Sequence, residues 1–145
     1  MSNNDMHANM KQAQAIIPAA IGPNATKTGQ IVDRRGYGGV EFVVSYGSVT
    51  TTGTIVTVVV REGDVTGTMT SVADADLLGT EALASLLAAT PRTAGTTKEV
   101  SKRVGYIGQK RYVQAVLLQT GVTSVGAVSA TAILFSPSVA PVSNP

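Results

Sequence analysis

Residues Ser101–Pro137 read SKRVGYIGQKRYVQAVLLQTGVTSVGAVSATAILFSP, and this stretch decides the fold. Two apolar runs, Arg111–Leu118 and Ala127–Phe135, flank a turn at Gly121–Ser124. Side chains alternate across a strand, so Tyr112, Val116 and Leu118 share one face while Val113, Ala115 and Leu117 share the other. Ahead of them stand a basic pair, Lys102-Arg103, and a glycine-flanked aromatic, Gly105-Tyr106. No residue in the stretch is suited to chemistry. The reading is a β-sandwich that works through its surface.

The same pattern extends toward the N-terminus. Val40, Phe42, Val44 and Tyr46 share one face of a strand whose other face carries Glu41 and Ser45. In Thr54–Arg61, Val56, Val58 and Val60 oppose Ile55, Thr57 and Val59, so both faces are apolar and the strand is expected to be central. Gln30–Asp33, Gly67–Ala73 and Val100–Tyr106 complete six to eight strands punctuated by turn signals. That spacing is expected of an antiparallel sandwich, jelly-roll-like or immunoglobulin-like. Glu81–Ala89 has helix-forming composition with Thr80 as N-cap and Pro91 as stop; one short helix competes there with a strand or an irregular loop.

A length of 145 residues fits one domain. Residues 1–28 are expected to form a flexible, extended N-terminal arm, 29–137 the sandwich and 138–145 an extended tail. Pro18, Gly22 and Pro23 forbid a long helix within the arm. The absence of cysteine fits assembly in a reducing cytosol. Charged residues make up 14% of the chain, against about 25% in ordinary domains. A surface this rich in small neutral groups suits a life against other protein. The net charge of +2 is too small for nucleic-acid binding. No apolar run is long enough for a membrane span, and the polar start MSNNDMHANMKQAQ lacks an apolar signal core.

Chemistry finds little footing. The single imidazole, His7, lies in the expected arm, so no catalytic triad is indicated. Asp74, Asp76 and Glu81 could together hold a calcium ion, but they read better as turn and helix-cap carboxylates. RRGYGG and GYIGQKR lack the spacing of a phosphate loop. No cofactor is implied. Without tryptophan and with only four tyrosines, a sugar-binding platform is poorly supplied. Should the 100s strand pair with the 110s strand, Lys102, Arg103, Lys110 and Arg111 would gather near one hairpin. Such a patch would either meet an acidic protein surface or guard a strand edge against aggregation.

Ala73–Gly79, Val104–Gly108, Lys110–Val113 and the closing run Ala127–Phe135 with Pro137 resemble small head-associated structural proteins of tailed bacteriophages, of the decoration or cement type. The resemblance covers roughly the last half of the chain. It implies a virion role without catalysis. The expected partner is the major capsid protein, with assembly in the host cytoplasm and self-association, a trimer being one form. A tail or head–tail connector component and a carbohydrate- or host-surface-binding module are the alternatives. The contact residues expected on this reading are Ala15, Ile16, Ile17, Pro18 and Ile21, together with Lys102, Arg103, Lys110 and Arg111. For the apolar set a second reading stands equal, that it covers an open end of the chain's own sandwich.

Overall fold

The computed structural model describes residues 5–20, 22, 24–47, 55–86, 100–120, 127–139 and 142. Among the described residues nine strands run in order β1 (Lys11–Ala20), β2 (Thr26–Asp33), β3 (Tyr37–Tyr46), β4 (Ile55–Val65), β5 (Thr68–Ser71), β6 (Leu77–Leu78), β7 (Val100–Tyr106), β8 (Tyr112–Thr120) and β9 (Ala127–Pro137). A 3-10 turn at Asp74–Asp76 precedes β6, and a single helical turn, α1 (Glu81–Ala84), follows it. One sheet is ordered β1-β9-β3-β7-β6 and the other β2-β8-β4-β5. Every pairing is antiparallel.

Alternation explains the core. Val40, Phe42, Val44 and Tyr46 of β3 face Val56, Val58 and Val60 of β4 across the sandwich interior, and all seven are buried. Val104 and Tyr106 of β7, with Val113, Ala115 and Leu117 of β8, fill the same layer. β-Branched residues on a pleated, half-buried surface are the favourable choice for such strands.

The connectivity is that of a jelly roll. β1, β9, β3 and β7 oppose β2, β8, β4 and β5, so strands consecutive in sequence lie in opposite sheets except β4–β5 and β6–β7. This corrects the hairpin considered above. β7 pairs with β3 and β6, whereas β8 pairs with β2 and β4, so the Gly108–Gln109 turn carries the chain from one sheet to the other. The β8–β9 connection also changes sheets, although the Gly121–Ser124 turn itself lies outside the described residues. Burying both faces of a hairpin would need two layers; crossing lets each strand place its apolar face in one shared core.

Two flanks of the sandwich are closed differently. On one, β1 and β2 approach each other. Much of the stretch read as an arm is therefore strand: β1 pairs with β9 from Lys11↔Leu134 to Ala20↔Ala127. Pro18 is tolerated because β1 is an outermost strand, whose outer side needs no ladder hydrogen bond. On the other flank, α1 covers a stretch of β4 that β5 does not reach. Val56 N–H donates to the carbonyl of Leu86 at 2.9 Å, Val58 N–H to Ser85 Oγ at 2.8 Å and Val60 N–H to Glu81 Oε1 at 2.6 Å. Thr80 caps this turn as the sequence indicates, its side chain accepting from Leu83 N–H at 3.1 Å. Helical structure ends at Ala84, and Pro91 lies outside the described residues.

Candidate functional site

The four basic residues expected to form one patch, Lys102, Arg103, Lys110 and Arg111, divide between two places. At one end of the sandwich, the β2–β3 turn, the end of β4 and the β7–β8 turn build a polar network. Lys110 Nζ meets Asp64 Oδ2 at 2.6 Å. Arg111 grips Asp33 with two bonds, Nε to Oδ1 at 3.1 Å and Nη2 to Oδ2 at 2.7 Å, and its guanidinium stacks 4.8 Å from the Tyr112 ring. Arg34 reaches the carbonyls of Lys110 and Tyr37 and lies 5.6 Å over the Tyr106 ring. The Tyr106 hydroxyl donates to Glu62 and accepts from Lys110 N–H at 3.0 Å. Hydrogen bonding to Arg111 holds the Asp33 carboxyl below its ordinary range, and Lys110 does the same for Asp64. Burial, then Glu62, pushes the Tyr106 phenol up. Lys110 and Arg111 are thus engaged within the chain, tying three connections together.

Lys102 and Arg103 sit elsewhere, on β7. Lys102 is half-buried and donates to the Ser85 carbonyl at 2.9 Å, holding the end of α1. Arg103 points outward, its side chain 78% exposed, with Nε 3.7 Å from Glu41 Oε1. The register Ile133↔Glu41↔Gly105↔Leu78 crosses the outer face of the larger sheet. A Cβ on Gly105 would lie 2.5 Å from Glu41 Oε2 and 2.9 Å from Leu78 Cβ, so glycine is what lets Glu41 lie flat there. Burial raises the Glu41 carboxyl more than Arg103 lowers it. Glu41, Lys102 and Arg103 with Leu78, Gly79 and Leu83 line a cleft of about 510 Å³. Leu83 is 67% exposed and Leu78 43%. Sequence reasoning missed Glu41, Leu78 and Leu83; the leucines bracketing Gly79–Ala82, a turn and helix start, were the available signal.

The apolar set near the N-terminus is divided as well. Ala15 and Ile16 are buried in the chain's own core, against the reading of them as outside contacts. Register shifts between Gln14 and Ile16 and between Ile16 and Ala19 put two consecutive side chains inside, which strict alternation forbids. Ile17 is 54% exposed and Pro18 is exposed beside it. Ile21 lies outside the described residues.

Among the described residues no group of three His, Cys, Asp or Glu side chains could hold a metal ion. Glu81, grouped above with Asp74 and Asp76, instead turns its carboxylate to Val60 N–H. His7 is exposed in the turn before β1. No helix among the described residues is long and apolar enough to cross a membrane.

No family model matches the chain, and no curated protein matches it in sequence. Solved structures do share its fold. The PBSX exported protein XepA matches at TM-score 0.55 and 13% identity, covering 91% of this chain and 39% of XepA. A chain from infectious bursal disease virus, Gx strain, matches at TM-score 0.54 and 10% identity, over 90% of this chain and 32% of the viral one. The SPBc2 prophage-derived protein YomS matches at TM-score 0.50 and 16% identity, over 88% of this chain and 94% of YomS. The chain therefore spans about two fifths of XepA, about a third of the viral chain and nearly all of YomS.

Proposed function

We propose that this chain is a non-enzymatic structural protein of a bacteriophage particle, a jelly roll that seats on the capsid shell and stabilises it as a decoration or cement protein. The observation that carries the reading is a two-sheet jelly roll built like YomS over nearly its whole length, with its exposed apolar residues on outer surfaces. Jelly rolls recur in viral capsid domains. At this level of identity the likeness concerns the fold, and the role rests on the surface.

The contact face on this reading comprises Leu78, Leu83 and Arg103 on the outer face of the larger sheet, with Ile17 and Pro18 on its edge strand. Arginine is enriched at protein interfaces, and the exposed leucines beside it add apolar area to bury. The major capsid protein is the partner, and contacts between copies raise the effective concentration of each. A subunit that binds the mature shell better than its precursor shifts that equilibrium by the difference in affinity.

Quantitative mass spectrometry of purified particles tests the proposal. A copy number approaching that of the major capsid protein is expected. A ring's worth of copies would move the chain to the connector or tail, and its absence from particles would overturn the virion reading.

A further inference from the structure

The flank where β1 meets β2 is open at one end and shut at the other. It is shut at Gly29, where a Cβ would lie 2.5 Å from the Ala115 carbonyl oxygen and 2.7 Å from that of Ala15. Toward the β2–β3 turn it widens into a cleft of about 480 Å³. Ile31, which is exposed, and the half-buried Ala13 form its apolar surface above the buried Val32 and Leu134, and Lys11, Asp33, Arg35 and Arg111 supply its charges.

The charges do not balance. Three cations face one carboxylate, and that carboxylate is already occupied. Asp33 accepts two bonds from Arg111 and a third from the Arg35 backbone N–H at 3.0 Å. Among the described residues the Lys11 side chain has no ion-pair partner, and that of Arg35 attracts Asp33 only from beyond ion-pair distance. β1 and β2 are each the outermost strand of their sheet, so each has one backbone side that no described strand covers. Both carry a register shift beside this flank, at Gln14/Ile16 and Thr28/Ile31. Bulges of this kind re-aim side chains at sheet rims and next to binding sites.

We infer that this cleft binds an extended acidic segment of a partner protein. Its carboxylates pair with Lys11 and Arg35, its apolar side chains rest on Ile31 and Ala13, and its backbone bonds to an uncovered strand edge. Alternating polar and apolar side chains on an added strand supply both contacts at once. Arg111 takes no direct part; it neutralises Asp33 and so keeps the cleft cationic. The inference concerns the purified chain and does not depend on a virion role, so its failure would leave that role standing.

Fluorescence anisotropy with a labelled peptide of alternating glutamate and valine tests it, with a lysine–valine peptide as control. Saturable binding of the acidic peptide alone is expected, weakening as salt screens the contacts. The double variant Lys11→Glu/Arg35→Glu is expected to bind at least tenfold more weakly, while the charge-matched Lys27→Glu/Arg61→Glu keeps wild-type affinity. Should the cleft variant fail to fold, amide shifts of the wild-type chain on titration decide the matter. They are expected at residues 11–14 and 30–37. No saturable binding, equal loss in both variants, or shifts elsewhere would overturn the inference. So would displacement of the peptide by an equal concentration of free glutamate or phosphate, which marks a simple anion site. Wild-type self-association abolished by the cleft variant would instead make a second copy the occupant and equally overturn it.

Discussion

The carboxylate of Glu81 accepts the backbone N–H of Val60 at 2.6 Å, so a side chain from a helical turn stands in for a missing strand. With Ser85 Oγ on Val58 and the Leu86 carbonyl on Val56, it satisfies alternate amides of β4. Removing a partner from a buried donor costs the desolvation of that donor. Glu81→Ala is therefore expected to lower stability by about 1–3 kcal/mol, with Glu81→Gln losing less because it keeps an acceptor. Urea denaturation measures both. Equal stability of Glu81→Ala and wild type would show that the amide finds another partner.

Gly29 and Gly67 provide a matched pair. An alanine methyl at 29 strikes two backbone oxygens, whereas one at 67 meets nothing within 4 Å. Gly29→Ala is expected to cost about 1–3 kcal/mol through overpacking, and Gly67→Ala to stay within about 0.5 kcal/mol of wild type. Thermal melts of the two variants side by side check the contrast.

Glu41 sets a pH dependence. Its carboxyl is raised from the ordinary 4.5 by burial, so the folded chain holds that proton more tightly than the unfolded chain. This contribution is most favourable below about 4.5 and diminishes as pH rises through the folded value. Glu41→Gln, which cannot ionise, is expected to melt above wild type at neutral pH, the gap closing in acid. A lower melting temperature for the variant at neutral pH would mean that the Arg103 contact outweighs desolvation.

Adjacent isoleucines of β1 should behave oppositely. Ile16 is buried and Ile17 is not. Ile16→Ala is expected to cost about 2–5 kcal/mol by leaving a cavity. Ile17→Asp is expected to leave the melt unchanged and to weaken attachment to particles, read by co-sedimentation. Unaltered co-sedimentation would remove Ile17 from the contact face. Deleting the whole N-terminal stretch cannot make this distinction, because it removes a strand of the larger sheet.

Legibility in the sequence followed locality. The strands around Phe42, Val58 and Val128–Leu134 were readable because period-two alternation is a property of a few neighbouring residues. The Thr80 cap was readable for the same reason. β1 was not, since a bulge at Ala15–Ile16 breaks the alternation and Pro18 argues against a strand until its edge position is known. Nor was the separation of Lys102–Arg103 from Lys110–Arg111. A turn signal says that the chain reverses, but it does not say which sheet receives the next strand. Glu41 became visible as part of a site only when β6 and β7 brought Leu78 and Arg103 beside it.

The pairing of β1 with β9 joins residues 11–20 to residues 127–134, nearly the full span of the described chain. On a ribosome, β1 waits for β9 before it acquires its hydrogen-bonded neighbour. Long-range pairing of this kind slows folding, since loop closure is paid before contacts form. Until then β1 offers an unprotected apolar segment, Ala15–Ile16–Ile17, to any other nascent copy. Yield in expression should therefore respond to translation speed and temperature more than to the stability of the finished molecule.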